Sequence, residues 1–400
     1  MTTRMTRRTT LALAAGAALC RTAFAADPAA WTQRAAAARG QTVYFNAWGG
    51  SESINRYIQW AGRQMQERHG VRVEHVKVSD TADVVKRVRN EKAAGRQDGS
   101  VDLVWINGEN FLAIKREGLL YGPLNDALRN YALVDIKGKP TTLVDFGEPV
   151  DGMEVPWGMA QLTFMVDSRR VPAPPQNVTE LLAFARTHPG RLTYPRMPDF
   201  HGVTFLKQLL TDLNPDRAAL YRPVTPEALN QATKPLWTYL DALHPHLWRA
   251  GRQFVASAGA MRQMLADGEL LLAFTFNPND AANEIAEGRL PPSVVSYQFS
   301  SGTIANTHFV AIPFNARAKE GATLLADFLL SPEAQGRKAD VSMWGDPTVL
   351  ALDALAPAQR AFFAAWPVSG QVVQTAPALP EPHASWVAPL EKEWLRRYGV

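Results

Sequence analysis

From Thr42 onward the chain repeatedly sets a short run of β-branched or aromatic residues against an amphipathic stretch. That alternation restricts it to an α/β architecture in which helices cover a largely parallel sheet. Val43-Tyr44-Phe45 reads as the first strand, after which Ile54, Ile58, Ala61 and Met65 recur at helical spacing. A second strand is expected over Val71 to Val78, followed by a helix opened by Asp80 and carrying Val84, Val85 and Val88. The third, Val101 to Ile106, breaks at Asn107-Gly108-Glu109-Asn110 and passes into a helix through Phe111 and Ile114.

Farther along, Glu154-Val155-Pro156-Trp157-Gly158 precedes a strand-like run from Gln161 to Val166, and Val171-Pro172-Ala173-Pro174-Pro175 breaks the chain near an expected first passage between domains. Helices are expected over Val203 to Leu210, Lys234 to Leu243 and Gly259 to Ala266. The continuous apolar run Leu270 to Phe276 suits a buried strand. Val294 to Phe299 and His308 to Ile312 read as strands with the second passage between them. Ser331-Pro332-Glu333 combines a capping residue, a proline at the first helical position and an early acid, which is a helix start. Trp386, Leu390, Trp394 and Tyr398 lie four apart and give the last helix one apolar stripe, expected to dock across the domains. The Ala-rich stretch from Ala29 to Arg39 reads as either a short helix or a frayed leader.

Residues 1–25 have the layout of a secretory signal: Arg4, Arg7 and Arg8, an apolar run from Leu11 to Leu19, and small residues at Ala23-Phe24-Ala25 where cleavage is expected. The run is about half the roughly 20 residues that span a bilayer, which disfavours a permanent anchor. Arg7-Arg8 suits twin-arginine export, whereas Thr10 stands where that signal usually has a bulky apolar residue, so the twin-arginine and Sec routes both stay open. Cys20 is the only cysteine and follows Leu19, not the small residue of a lipoprotein signal. Cleavage after Ala25 would leave no cysteine, which excludes disulfides, thiolate metal sites and cysteine nucleophiles. It would also remove four arginines and no acid, leaving 38 basic and 38 acidic residues. A neutral chain gives no electrostatic case for nucleic acid or anionic membrane.

Ligands of open α/β sheets bind beyond the carboxyl ends of the strands, where helix N-termini offer free amides. Two loops answer that description, Trp48 to Ser53 and Asn107 to Asn110, and they nominate Trp48, Gly50, Ser51, Asn107, Glu109 and Asn110. Singly, Ser51 or Ser53 could simply cap a helix and Gly108 turn the chain; together the loops point to a site. Trp48, Trp157 and Trp344 stand beside glycine, outside apolar faces, where an indole could stack on a ring or face a cation. Trp105, Trp237 and Trp394 are read as core. An opposing wall is expected from Asp199-Phe200-His201-Gly202 and Asn277-Pro278-Asn279-Asp280, supplying Asp199, His201, Asn277 and Asn279. For Asp199 a helix cap, and for Asn277 an Asx-turn, are equally open.

Nothing in the sequence supports catalysis: G-x-S-x-G, H-E-x-x-H, P-loop and strand-linked G-x-G-x-x-G motifs are all missing. His244-Pro245-His246 reads as a turn, not a ligand pair, so neither metal nor cofactor is expected. Scattered carboxylates leave open an acid pair assembled by the fold, as in an exported hydrolase.

With these residues in place the chain resembles the solute-binding proteins of ABC importers, specifically the YnjB-like branch near the thiamine, iron and polyamine binders. The likeness runs through Tyr44 to Ser53, Val101 to Phe111, Val155 to Asp167, Leu265-Ala266-Asp267-Gly268-Glu269, and most diagnostically Ala326-Asp327-Phe328-Leu329-Leu330-Ser331-Pro332-Glu333-Ala334-Gln335. It implies a type II-like fold of two α/β lobes joined by two crossing hinge strands, with a ligand cleft between them. Residues 41–156 and 300–335 would form the first lobe, 157–299 the second, and 336–400 a C-terminal helical segment packing across both. It implies a monomeric periplasmic carrier that closes on a small solute and delivers it to a membrane permease served by a separate ATPase. The tryptophans, with Glu52, Glu109, Asp199 and Asp346 nearby, favour an organic cation or heteroaromatic solute. Thiamine binders are similar around Phe274 to Asp280 and Trp344 to Val349, although the tyrosines of thiamine or ferric-ion sites are not evident. Gly49-Gly50-Ser51 would equally suit an anion, and tryptophan platforms also serve oligosaccharides.

Overall fold

The computed structural model describes residues 27–363, 370 and 376–399, so the export signal read in residues 1–25 lies outside the described residues. Three parallel strands start the larger sheet: β1 (Thr42–Trp48) lies between β2 (Arg72–Val78) and β3 (Leu103–Ile106). Helices Glu52–His69 and Thr81–Ala93 follow the first two strands, the second capped by the Asp80 side chain on Ala82 N–H. Alternate residues divide the strands between two apolar layers. Val43, Phe45 and Leu103 pack with Ile54, Tyr57 and Ile58 on one face, while Val104 and Ile106 pack with Val84, Val88 and Phe111 on the other.

After the short strand β4 (Leu120–Tyr121) and the hairpin β5 (Val144–Asp145) and β6 (Glu148–Pro149), the chain runs along β7 (Val155–Gln161). It then enters a second sheet through β8 (Thr163–Asp167), β9 (Leu272–Thr275) and β10 (Val294–Tyr297), and returns along the long strand β11 (Thr303–Pro313). In the larger sheet β11 is antiparallel to both β3 and β7, and the two-residue β12 (Ala378–Leu379) joins its start. The second sheet has the order β10-β8-β9 and is antiparallel throughout. The sequence pattern suggested parallel pairing, but an apolar run covered on both faces reads the same in either orientation.

Two segments connect the sheets. Leu162 alone separates β7 from β8, and residues 298–302 separate β10 from β11. They cross side by side, with Leu162 N–H donating to Ile304 C=O at 2.8 Å. β7 lies along β11 for its whole length, so residues 157–161 run with the larger sheet, and the Val171 to Pro175 breaker follows β8 inside the second lobe.

The second lobe surrounds its sheet with helices, including Val178–Thr187, Phe200–Leu213 and Pro226–Leu243, around a core of Phe164, Leu181, Phe205, Leu240 and Phe274. Ser331 caps helix Pro332–Ala339 through Ala334 N–H at 3.2 Å. The last helix, Val387–Tyr398, buries Leu390 and Trp394 in the second lobe's core, together with Trp386 just before it. Just before it, Ala384 touches Leu112 and Phe146 of the larger lobe and donates to Phe146 C=O at 2.8 Å. Residues 376–398 therefore strap the two lobes together. Ala29 to Arg39 is the helix Pro28–Ala38, tied by Arg34 to Glu320 at 2.5 Å. Among the described residues no helix is long and apolar enough to cross a membrane.

Candidate functional site

The carboxyl ends of β1, β2 and β3 face the second lobe. Trp48, half-buried at the end of β1, has His201 opposite at 6.5 Å between ring centroids. Its indole folds over Gly50, where any Cβ would collide with the ring. Ser51 precedes the Glu52–His69 helix without capping it and bonds instead to the Ser53 hydroxyl at 2.8 Å. At the end of β3, Asn107 and Asn110 are half-buried and Glu109 opens the next helix, with Asn110 reaching its carboxylate at 3.3 Å.

Gly108 is required twice. Its φ is +65°, and a Cβ there would lie 2.8 Å from the Phe146 ring. Its N–H donates to Asp145 Oδ2 at 2.6 Å. Phe146 itself sits at φ +44°, a left-handed conformation that costs a non-glycine residue free energy. That backbone places its ring 4.1 Å from the Lys207 ammonium.

Lys207 comes from helix Phe200–Leu213, whose start is capped by Asp199: its Oδ1 accepts from His201 N–H at 2.9 Å and Gly202 N–H at 3.3 Å. Of the two roles open to Asp199, the structure thus shows the cap. Lys207 is 2.7 Å from Glu381 Oε2, a charge contact without good hydrogen-bond alignment, and both side chains are almost fully buried. Asn306 Nδ2 on β11 donates to the other oxygen of Glu381 at 3.0 Å.

Further carboxylates gather around this pair. Asp80 after β2 raises the proton affinity of Glu109 after β3, and both raise that of Glu391 on the last helix. Burial pushes Glu391 up to about 7, reinforced by Glu109 and Asp80 and opposed by Lys207. Glu109 still touches solvent, yet the protein around it removes enough water to push its pKa up as well, against the pull of Lys207. Burial pushes Asp145 and Glu154 well above the ordinary carboxylate range.

Trp157 and Trp344 depart from the sequence reading, being 0 % and 1 % exposed. They belong to an aromatic core with Phe45, Tyr57 and Trp105. The cation they face is the protein's own: Lys338 Nζ lies 5.1 Å from the Trp157 ring and 5.3 Å from that of Trp344. Asp346, also expected at the solute, pairs with Lys338 at 2.9 Å and with His308 Nε2 at 3.1 Å. Burial pulls the Lys338 pKa down while Asp346 opposes it. Glycine beside Trp157 is explained by this pair, since a Cβ on Gly158 would occupy the space of Asp346 and Lys338.

The expected opposing-wall asparagines make another contact. Asn277 Nδ2 donates to Trp344 C=O at 3.2 Å and Asn279 Nδ2 to Gly345 C=O at 2.5 Å, and Asn283 donates to Val341 C=O. Asn277 also accepts from Asn279 N–H at 3.0 Å, the Asx-turn. Here the second lobe grips the 341–345 loop by its backbone. Arg56 and Glu287 add a partly exposed ion pair between the lobes at 2.6 Å.

Of the sequence candidates, Trp48, Gly50 and Ser51 follow or end β1 and Asn107, Glu109 and Asn110 follow the neighbouring β3, with His201 against Trp48. Asp199 caps, Asn277 and Asn279 grip a loop, and Trp157, Trp344 and Asp346 are core. Sequence reasoning missed Phe146, Lys207, Glu381 and Glu391 and took Asp80 only as a helix start. A separate open trough of about 520 Å³ on the larger lobe is lined by Lys86, Arg87, Asn90 and Arg96 among others. It has no aromatic side chain and only one lobe, so the cleft is the better candidate. Among the described residues no group of three His, Cys, Asp or Glu could hold a metal, and His244 is bonded to Tyr194 Oη at 2.7 Å.

Comparison with known proteins supplies the remaining observations. A family profile described as bacterial extracellular solute-binding protein matches residues 60–359. Protein YnjB of Escherichia coli K12 is 47% identical over 371 residues, covering 92% of this chain and 94% of its own. Among solved structures, the periplasmic binding protein AfuA of Actinobacillus pleuropneumoniae, with fructose-6-phosphate bound, is similar at TM-score 0.64 and 14% identity, over 90% of this chain and 99% of that one. The spermidine/putrescine ABC transporter substrate-binding protein PotD of Streptococcus pneumoniae is similar at 0.61 and 13%, over 89% and 98%.

Proposed function

Because this chain belongs to the bacterial extracellular solute-binding protein family, we propose that it captures a small organic cation or heteroaromatic solute, with the cation favoured, between its lobes. It would act as a periplasmic monomer and deliver the solute to an inner-membrane permease powered by a separate ATPase. The observation that carries the cationic reading is a charge imbalance. Asp80, Glu109 and Glu391 converge on the cleft, while the cation among them, Lys207, is already taken by Glu381. An anion at Gly49-Gly50-Ser51 would have to overcome that field. Trp48, His201 and the 39 % exposed Phe200 supply ring surfaces for the solute.

The fold by itself is neutral on charge: AfuA holds fructose-6-phosphate and PotD belongs to a spermidine/putrescine transporter. A solute touching both lobes favours the closed state by its differential affinity, and the crossing at Leu162 and residues 298–302 is where bending would occur. Native mass spectrometry of gently purified protein tests the reading. A retained mass belonging to a cationic amine or thiazolium-type compound supports it. A retained anion or oligosaccharide, or turnover of a co-purified compound, replaces it.

A further inference from the structure

The strap does not hold the two lobes evenly. Its first residues sit at the crossing: β12 pairs with Thr303 and Ile304, and Asn306, two residues on, donates to Glu381. From His383 onward it is bound to the second lobe. His383 N–H donates to Leu220 C=O at 2.8 Å, Ser385 Oγ accepts from Val224 N–H at 2.8 Å, and Trp386 Nε1 donates to Arg222 C=O at 3.2 Å. Among the described residues, the strap and last helix make one hydrogen bond to the larger lobe away from the crossing, from Ala384 N–H to Phe146 C=O at 2.8 Å.

The turn that receives this bond is built at a cost. Phe146 and Gly147 are the two residues between the paired Asp145 and Glu148, with φ of +44° and +81°. Positive φ at both positions is the mark of a type I′ hairpin turn, whose first position favours asparagine or aspartate over an aromatic residue. Phe146 is held there by what it touches. Its ring packs with Leu112 and Ala384 and faces the Lys207 ammonium at 4.1 Å, and Lys207 comes from the second lobe. A Cβ on Gly147 would lie 2.9 Å from the His383 ring and 3.3 Å from its Cα, so the strap lies directly on the turn. A left-handed phenylalanine where two bodies meet is strain kept in place by its surroundings, a property of switch regions.

We propose that Phe146 is the latch of the cleft: the strap and last helix travel with the second lobe, and opening withdraws Ala384 and Lys207 from Phe146. This rests on the reading of the chain as a two-lobed carrier that closes on its solute, and it names the contact that the hinge motion breaks. The other holds between the lobes differ in kind. The asparagine bonds to the 341–345 loop and the partly exposed Arg56–Glu287 pair exchange for water at modest net cost. Releasing Phe146 instead exposes a ring and parts it from a buried ammonium, a loss only partly offset by relaxation of the turn.

Two adjacent amides provide the test. Ala384 N–H is bonded to the larger lobe and His383 N–H to the second, so hydrogen exchange followed by NMR on the purified exported chain without solute reads the two attachments separately. Phe146→Asn suits the turn and removes the ring. It should speed exchange at Ala384 by roughly tenfold and leave His383 unchanged. Lys207→Ala keeps the turn, removes the cation and should act in the same direction. Small-angle scattering should give both variants a larger radius of gyration than the native chain.

Should Phe146→Asn loosen the whole fold and speed both amides alike, Lys207→Ala decides. Equal acceleration of the two amides in that variant, no acceleration at Ala384, or radii equal to the native value overturns the proposal. Native mass spectrometry that finds an anion rejects the cationic solute and leaves the latch standing, whereas a failed latch leaves a retained cation unaffected.

Discussion

Among the described residues there are two buried lysine–carboxylate pairs, and they differ in what surrounds them. Lys338 and Asp346 sit inside the larger lobe, walled by Trp157 and Trp344, with His308 on the second carboxylate oxygen. Each charge there has its partner. Lys207 and Glu381 lie between elements of both lobes, against Phe146, and are ringed by Asp80, Glu109 and Glu391, which they do not neutralise. A balanced pair in an aromatic box is architecture, whereas an unbalanced one at a cleft leaves room for a charge from outside. The tryptophans alone would have pointed to the wrong pair.

Breaking the balanced pair should cost most. Lys338→Met leaves Asp346 charged among indoles and is expected to remove about 3–5 kcal/mol of stability, read by urea unfolding, while adding Asp346→Leu restores most of it. Trp157→Ala should destabilise by a similar 3–5 kcal/mol, a loss of folding and not merely of solute affinity. Gly158→Ala forces the same pair apart and should cost about 1–3 kcal/mol.

Lys207→Met sharpens the contrast. It should cost less than Lys338→Met, roughly 1–3 kcal/mol, and the loss should shrink as pH falls, because burial already pushes Glu381 toward its protonated form. Smallest in stability and clearest in function is Trp48→Ala. It should leave the unfolding midpoint nearly unchanged and weaken binding of the retained cation by about 1 kcal/mol, or roughly fivefold, in calorimetry. If Lys338→Met and Lys207→Met prove equal at every pH, the distinction between the two pairs falls.

The strand ends of the larger lobe were legible because local signals specify them. Asp80 and Ser331 cap the helices their positions predicted, and Gly108 turns where a positive φ is needed. Trp157 misled because glycine beside an aromatic usually marks a loop; here Gly158 is within β7 and makes space for Asp346. The asparagines after β9 were expected on the wall facing the ligand loops, with an Asx-turn open for Asn277; the acceptors of their side chains are main-chain carbonyls of the 341–345 loop, which no sequence pattern displays. Lys207, Glu381 and Glu391 were illegible for another reason. They are ordinary helix or loop charges locally, and only long-range packing of the strap assembles them.

The aromatic box around Lys338 also fixes what an optical experiment will report. Of the chain's 11 tryptophans, Trp157, Trp344, Trp386 and Trp394 are almost wholly shielded from water. Their emission is a constant background, insensitive to a soluble quencher. Trp48, half-buried at the cleft, is placed to dim or shift when a solute arrives. A small fluorescence change on a large steady signal is therefore the expected mark of occupancy, and its loss in Trp48→Phe would identify the emitter.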